Sequence, residues 1–225
     1  MNAGDLSSLV VAVDGTSGSG KSSTCRAVAE RLGLRYLDTG AMYRAVAWWM
    51  LQHDVNIYDI QEVTAHADGP RLESGTDPRR PTITLDGVDV SAEIRSDAVN
   101  AAVSPVSTVP AVRARLVEQQ REIIGDGGIV VEGRDIGSVV WPAAGLKVFL
   151  TADPDARAAR RAAEAGTTDV TATQESLLNR DRIDSGRAVA PLTMADGAVH
   201  IDTTELTLEE VVDVVVGLAT APAEA

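Results

Sequence analysis

The sequence predicts an α/β fold: a parallel sheet flanked by helices, with a small β-rich insert and a short lid. Three observations carry this. Short apolar runs without polar alternation ("LVVAVDG", "GGIVVEG", "GLKVFLT") read as strands buried on both faces. Each alternates with a segment of helical pattern, as strand–helix–strand crossovers require. One stretch, residues 71 to 95, breaks that rhythm with short, turn-rich, alternating sequence.

The elements follow in order. "LVVAVDG" ends as a strand at Gly15, and residues 20 to 32 form a helix that Gly33 stops. Thr39 caps a second helix running to about Gln52. In the insert, Asp86-Gly87 between "TITL" and "VDV" is a two-residue hairpin signal. Pro110 suits the first turn of a helix reaching about Ile124. Strands "GGIVVEG" and "GLKVFLT" follow. Asp153 and Pro154 make a cap and first turn for a helix at 154 to 165. Further helices are expected near 171 to 186 and 207 to 218, with "AVHID" as a last strand.

Composition bounds the function. The chain has 225 residues, 44% hydrophobic, enough for one sizeable core with small inserted lobes. With 33 acidic against 20 basic side chains the net charge is −13, which disfavours binding to a nucleic-acid polymer or an anionic membrane. An anionic ligand must then be drawn by a local basic cluster. A single cysteine, Cys25, and no signal-peptide pattern point to the cytoplasm. No apolar run approaches a membrane span, and a monomer is expected.

"GTSGSGKS", Gly15 to Ser22, fits G-x-x-x-x-G-K-[ST] between a predicted strand and a predicted helix. Its glycines let the backbone curl around phosphate, and the helix N-terminus adds partial positive charge. Lys21 reaches the β- and γ-phosphates and Ser22 holds Mg²⁺. A Gly/Ser-rich turn is the bland alternative. Lys21 is one of only two lysines among the 20 basic residues, so its place in the motif argues against that. No Asn is followed by Lys, which removes the guanine-reading segment of a switch GTPase.

The arginines extend the pattern. Arg44 and Arg113 lie in the first turns of helices, where a cation opposes the dipole by ~0.3–1 kcal/mol. Arg180, Asp184 and Arg187 are spaced to share one helix face, as are Arg157, Arg160 and Arg161. Either set could be an exposed ion-pair ladder. For the second set, three clustered cations repel unless an anion visits, as under a lid closing on triphosphate. In "VVEGRDIGSVVWP" the charges of Arg134 and Asp135 stand where a buried strand ends.

The blocks "VDGTSGSGKSS", "YLDTGAMYRAVAW", "EGRDIGSVVWP", "SGRAVAPL" and "IDTTELTLEEVV" resemble those of bacterial cytidylate kinases, in the same order over nearly the whole chain. The resemblance implies a single P-loop kinase domain over 1–225, with a monophosphate-binding insert at about 70–95 and a lid at about 153–170. It implies transfer of the γ-phosphate of MgATP to CMP or dCMP. Gly15, Thr16, Ser17, Gly18, Ser19, Gly20, Lys21, Ser22 and Ser23 are implied to hold ATP, with Arg157 and Arg161 from the lid. Arg44 matches a position that grips the acceptor phosphate, and Thr39, where the family often has Ser, is implied to lie at the CMP site. Ser104, Arg113 and Asp135 match those that read cytosine. Arg134 and Arg187 match phosphate-clamping positions, and Arg180 and Asp184 match positions near ribose and phosphate.

Two other functions compete. A shikimate-kinase-like alcohol kinase needs a base, for which Asp14 or Asp135 is available, but the hairpin insert and "DTGAMYR" argue against it. A non-catalytic nucleotide-binding switch is the other. His53, His66 and His200 sit in contexts that assign them no role.

Overall fold

The computed structural model describes residues 6–166, 168–186 and 192–221. They divide into two compact units, one of Met1–Tyr36 with Asp126–Ala225 and one of Leu37–Gly125.

The first unit is built on a five-stranded sheet. Its strands are β1 (Val10–Gly15), β2 (Arg35–Asp38), β6 (Ile129–Glu132), β7 (Leu146–Thr151) and β8 (Val199–Asp202), in the order β2-β6-β1-β7-β8. Strand β1 is central, parallel to both β6 and β7, and buried at every residue. Burial on both faces explains the unbroken apolar run that foretold it. Helices α1 (Lys21–Leu32) and α8 (Leu208–Thr220) bury Cys25, Val28, Val211 and Val215 against Val11, Val13, Val130 and Val148. The chain leaves β1 through α1 for β2 on one side, whereas β7 lies on the other. That reversal makes the carboxyl ends of β1 and β6 a crevice where ligands of such sheets bind. Val13 pairs with Glu132 and Gly133 N–H donates to Val13 C=O at 3.0 Å, so Asp14-Gly15 and Gly133-Arg134-Asp135 emerge side by side.

Helix α6 (Pro154–Ala165) matches its expected bounds, and α7 (Val170–Ser185) lies within one residue of them. Asp153 stands at the α6 N-cap, but its side chain makes no capping bond; Pro154 alone sets that first turn. Helix α8 is capped by reciprocal Thr207–Glu210 bonds.

The second unit holds α2 (Thr39–Gln52), α3 (Ile60–Ala65), a three-stranded antiparallel sheet of β3 (Leu72–Ser74), β4 (Ile83–Leu85) and β5 (Val88–Asp89), α4 (Asp97–Thr108) and α5 (Pro110–Ile124). The expected hairpin turn is present, with φ 50° at Asp86 and 81° at Gly87, the pair of positive values that a primed two-residue turn requires. The cap of α2 is Asp38, not Thr39. Asp38 has the extended backbone of a cap and its carboxylate accepts from Ala41 N–H at 2.8 Å, while Thr39 is already helical. Helix α4 carries Pro105 internally, and extended Val109, preceding Pro110, separates it from α5.

Candidate active site

The phosphate loop follows β1 directly. Gly18 and Gly20 take φ of 78° and 85°, the left-handed turns that curl the loop ahead of α1. Lys21 Nζ lies inside that curl, donating to Gly15 C=O at 2.9 Å and Thr16 C=O at 2.5 Å. Burial holds its pKa well below the lysine range, and the neighbouring Arg134 cation adds to this. A cation kept where both its surroundings and a like charge disfavour it is ready for a polyanion.

Arg134 reaches back over the same loop. Its Nη1 donates to Gly15 C=O at 2.5 Å and its Nε to Asp184 Oδ2 at 2.8 Å. One side chain thus ties the carboxyl end of β6 to the phosphate loop and to α7. Asp184 is buried at 3% exposure, so it is no member of an exposed ladder, and its ion pair runs to Arg134. Arg180, one turn earlier on α7, has its pKa lowered to about 10 by burial, then by Arg134, and stays charged at neutral pH. Arg187 lies outside the described residues.

Asp135 is buried where the turn Ile136–Val140 begins. Asp14 holds that turn from β1, its carboxylate accepting from Ile136 N–H and Gly137 N–H, each at 2.8 Å. Burial raises the Asp14 pKa to about 6, and these two bonds oppose the rise. Asp14 therefore braces the segment carrying Arg134 and Asp135, and both of its oxygens are occupied.

Glu132 belongs to no sequence motif. It is buried at the end of β6 and accepts from Tyr36 O–H and, at 3.0 Å, from Ser22 Oγ. A carboxylate beside the hydroxyl of the phosphate-loop Ser is the hard-oxygen donor set that suits Mg²⁺ arriving with nucleotide phosphates. The available signal was local: Glu132 ends an apolar run abruptly, as Asp14 does in β1.

The arginines of α6 are already engaged. Arg157, 4% exposed, pairs with Asp181 and donates to Ser17 C=O at 3.0 Å. Arg160 donates to Thr203 Oγ1 at 2.9 Å and Thr203 C=O at 2.6 Å. The expected repulsion within this cluster is thus relieved by residues of the fold itself, above all by Asp181. Arg161 stays partly exposed on α6.

The second unit carries the other predicted residues. Arg44 is 6% exposed, donating to Ile94 C=O at 3.1 Å and Asn100 Oδ1 at 2.8 Å. Arg113, also buried, lies over the Tyr43 ring at 5.7 Å. Ser104 is buried in α4 and Thr39 at the start of α2. Buried arginines such as Arg44 and Arg113 are too costly to be casual surface charges.

The histidines hold local structural places. His53 stacks on Trp49 and bonds its C=O, and His200 bonds Thr151 Oγ1.

The family model for cytidylate kinase matches residues 11–221. The chain is 56% identical over 214 residues to the cytidylate kinase of Streptomyces griseus subsp. griseus, covering 94% of this chain and 93% of that one. Among solved structures, an uncharacterized protein from Eubacterium ventriosum superposes with a TM-score of 0.50 at 11% identity over 94% of this chain and 98% of that one. A shikimate kinase from Acinetobacter baumannii does so at 0.49 and 13%, covering 96% of each chain, which supplies no case for an alcohol acceptor. With a family model across nearly its whole length and a relative above half identity, the chain belongs to the cytidylate kinase family.

Proposed function

We propose that the protein transfers the γ-phosphoryl group of MgATP to CMP or dCMP, giving CDP or dCDP and ADP, in the cytoplasm as part of pyrimidine nucleotide metabolism, and that it works as a monomer. The observation that carries this is Arg134, whose guanidinium is held against both the phosphate loop and α7. Such a placement serves a phosphoryl group in transit.

The acceptor is a phosphate monoester with a second pKa near ~6, largely dianionic at neutral pH, so it needs no general base. What remains is to position the reactants and stabilise the developing charge. Gly15 to Ser23 cradle the ATP phosphates through backbone N–H groups and Lys21. Arg157 and Arg161 serve the nucleotide from the lid, about 153–170. Thr39 and Arg44 bind the acceptor phosphate. Arg134, Arg180 and Arg187 neutralise the transferring group, and Asp184 keeps Arg134 oriented. Ser104, Arg113 and Asp135 read cytosine: a carboxylate accepts from the exocyclic amino group and an Arg donates to the ring acceptors. Ser22 and Glu132 hold Mg²⁺, which supplies charge neutralisation at the phosphates.

The test is ADP release with a panel of acceptors: CMP, dCMP, UMP, AMP and shikimate. Turnover with CMP and dCMP far above the others is expected. Turnover only with an alcohol acceptor overturns the reading.

Two variants probe finer assignments. Asp135→Asn is expected to lower the CMP-to-UMP ratio of kcat/KM by about 10–100-fold, because Asn presents either an acceptor or a donor and no longer repels the uracil carbonyl. An unchanged ratio means Asp135 does not read the base. Glu132→Gln keeps one acceptor oxygen, enough for Tyr36 or Ser22, and loses its charge. It is expected to raise the Mg²⁺ concentration for half-maximal rate by about 10-fold or more. An unchanged Mg²⁺ titration reduces Glu132 to an anchor for Tyr36.

A further inference from the structure

Asp181 lies on α7 beside the predicted Arg180, and its carboxylate is divided between two partners. Oδ1 accepts from the backbone N–H of Ser17, in the phosphate loop, at 3.0 Å. Oδ2 pairs with Arg157 of α6, and the same Arg157 nitrogen donates to Ser17 C=O at 3.0 Å. Both peptide groups of Ser17 are thus taken by the helix pair α6–α7. The next residue, Gly18, continues the contact: a side-chain carbon there would stand 3.2 Å from Arg157 and 3.4 Å from Leu177. One wall of the phosphate loop is therefore made of α6 and α7. Arg157 is 4% exposed, and its Nε has no hydrogen-bond partner among the described residues. A buried, unsatisfied guanidinium nitrogen is costly unless a ligand uses it.

We propose that Asp181 is a positioning residue for ATP: by holding the Ser17 amide and the Arg157 guanidinium together, it makes α6, α7 and the phosphate loop one nucleotide-binding piece. Its loss frees Ser17 N–H to turn and leaves Arg157 without the charge that orients it. The effect falls on ATP, not on the acceptor. The proposal rests on the reading that Gly15 to Ser23 hold ATP.

Steady-state kinetics of Asp181→Ala and Asp181→Asn test it, with equilibrium titration of Mg·AMP-PNP and melting curves alongside. Asp181→Ala is expected to raise KM for ATP and the Kd of the analogue by about 10-fold, in the range of directly coupled contacts, with KM for CMP within about twofold. Asp181→Asn is expected to fall between, since it keeps an acceptor for Ser17 N–H and loses the charge facing Arg157. On an Arg157→Ala background the Asp181 change is expected to add a smaller factor than on the wild type. An unchanged KM for ATP overturns the proposal. So does a decrease, which would make Asp181 a competitor of the phosphates. Parallel rises in both KM values with a lower Tm overturn it as well, leaving only a structural role. If Asp181→Ala does not fold, the Asn variant carries the test. Wild-type protein that fails to bind the analogue while binding CMP sinks the phosphate-loop reading instead.

Discussion

Lys21→Ala is expected to lower kcat/KM for both nucleotides by on the order of 10³-fold, equivalent to ~4 kcal/mol, without lowering the melting temperature of the free protein. The two halves of this expectation have one cause. Lys21 is buried inside the loop with Arg134 as a neighbouring cation, and its pKa is held below the lysine range. A lysine whose pKa is depressed by folding destabilises the native state wherever it remains charged, which includes pH values below its folded pKa. That penalty fades only as pH rises toward the unfolded value. Alanine removes it, at the cost of the bonds to Gly15 C=O and Thr16 C=O. If Gly15 to Ser23 cradle ATP as proposed, the same charge faces the β- and γ-phosphates, and nothing else in the loop replaces it. Melting curves with and without Mg·AMP-PNP, beside steady-state rates, check both halves. The analogue should raise Tm for the wild type and much less for the variant. Near-normal turnover by Lys21→Ala sinks the assignment of Gly15 to Ser23 as the ATP cradle.

Much of the fold was legible because its signals are local. The phosphate loop, the Asp86-Gly87 turn, Pro110 and the apolar runs of β1, β6 and β7 each announce themselves within a few residues. Helix α4 has no such signal, since Pro105 inside it argues against a helix until tertiary packing overrides that preference. Short β2, four residues with a charge at each end, also lacks a strand pattern. Among candidate site residues the same division holds. Lys21 and Ser22 come from a contiguous motif. Glu132, Asp14 and Asp181 act through partners 110, 122 and 164 positions away, and no local periodicity records such pairings. What the sequence did offer was a carboxylate at the end of the apolar runs of β1 and β6, and such a charge needs a partner.

Asp184 shows how partner identity changes a prediction. Read as one rung of an exposed helix ladder, it would matter little to anything. Buried and paired with Arg134, it ties stability to the residue proposed to serve the transferring phosphoryl group. Removing Arg134 takes the ion-pair partner from a buried carboxylate, and breaking a buried pair costs ~3–5 kcal/mol. A loss of activity in Arg134→Ala is therefore ambiguous unless the fold is followed too.

Arg134→Lys resolves this. Lysine keeps a positive charge beside Asp184, so much of the stability should survive. It loses the fork that lets Nη1 reach Gly15 C=O while Nε holds Asp184. If Arg134 stabilises the transferring phosphoryl group, kcat should fall by about 10²–10³-fold in Arg134→Ala, a loss of ~3–4 kcal/mol from the transition state. The Lys variant should recover only part of that fall. KM for CMP should change less than kcat, because the contact strengthens as charge develops. A stability-only role gives the opposite pattern: Arg134→Lys restores both Tm and kcat, and kcat across the variants follows the folded fraction. Pairing Arg134→Ala with Asp184→Asn separates the two further. Neutralising the Asp184 carboxylate should return melting temperature toward the wild type while kcat stays low. Should kcat return with it, Arg134 acts only by satisfying Asp184, and the stabilisation of the moving phosphoryl group must come from Lys21 and Arg180.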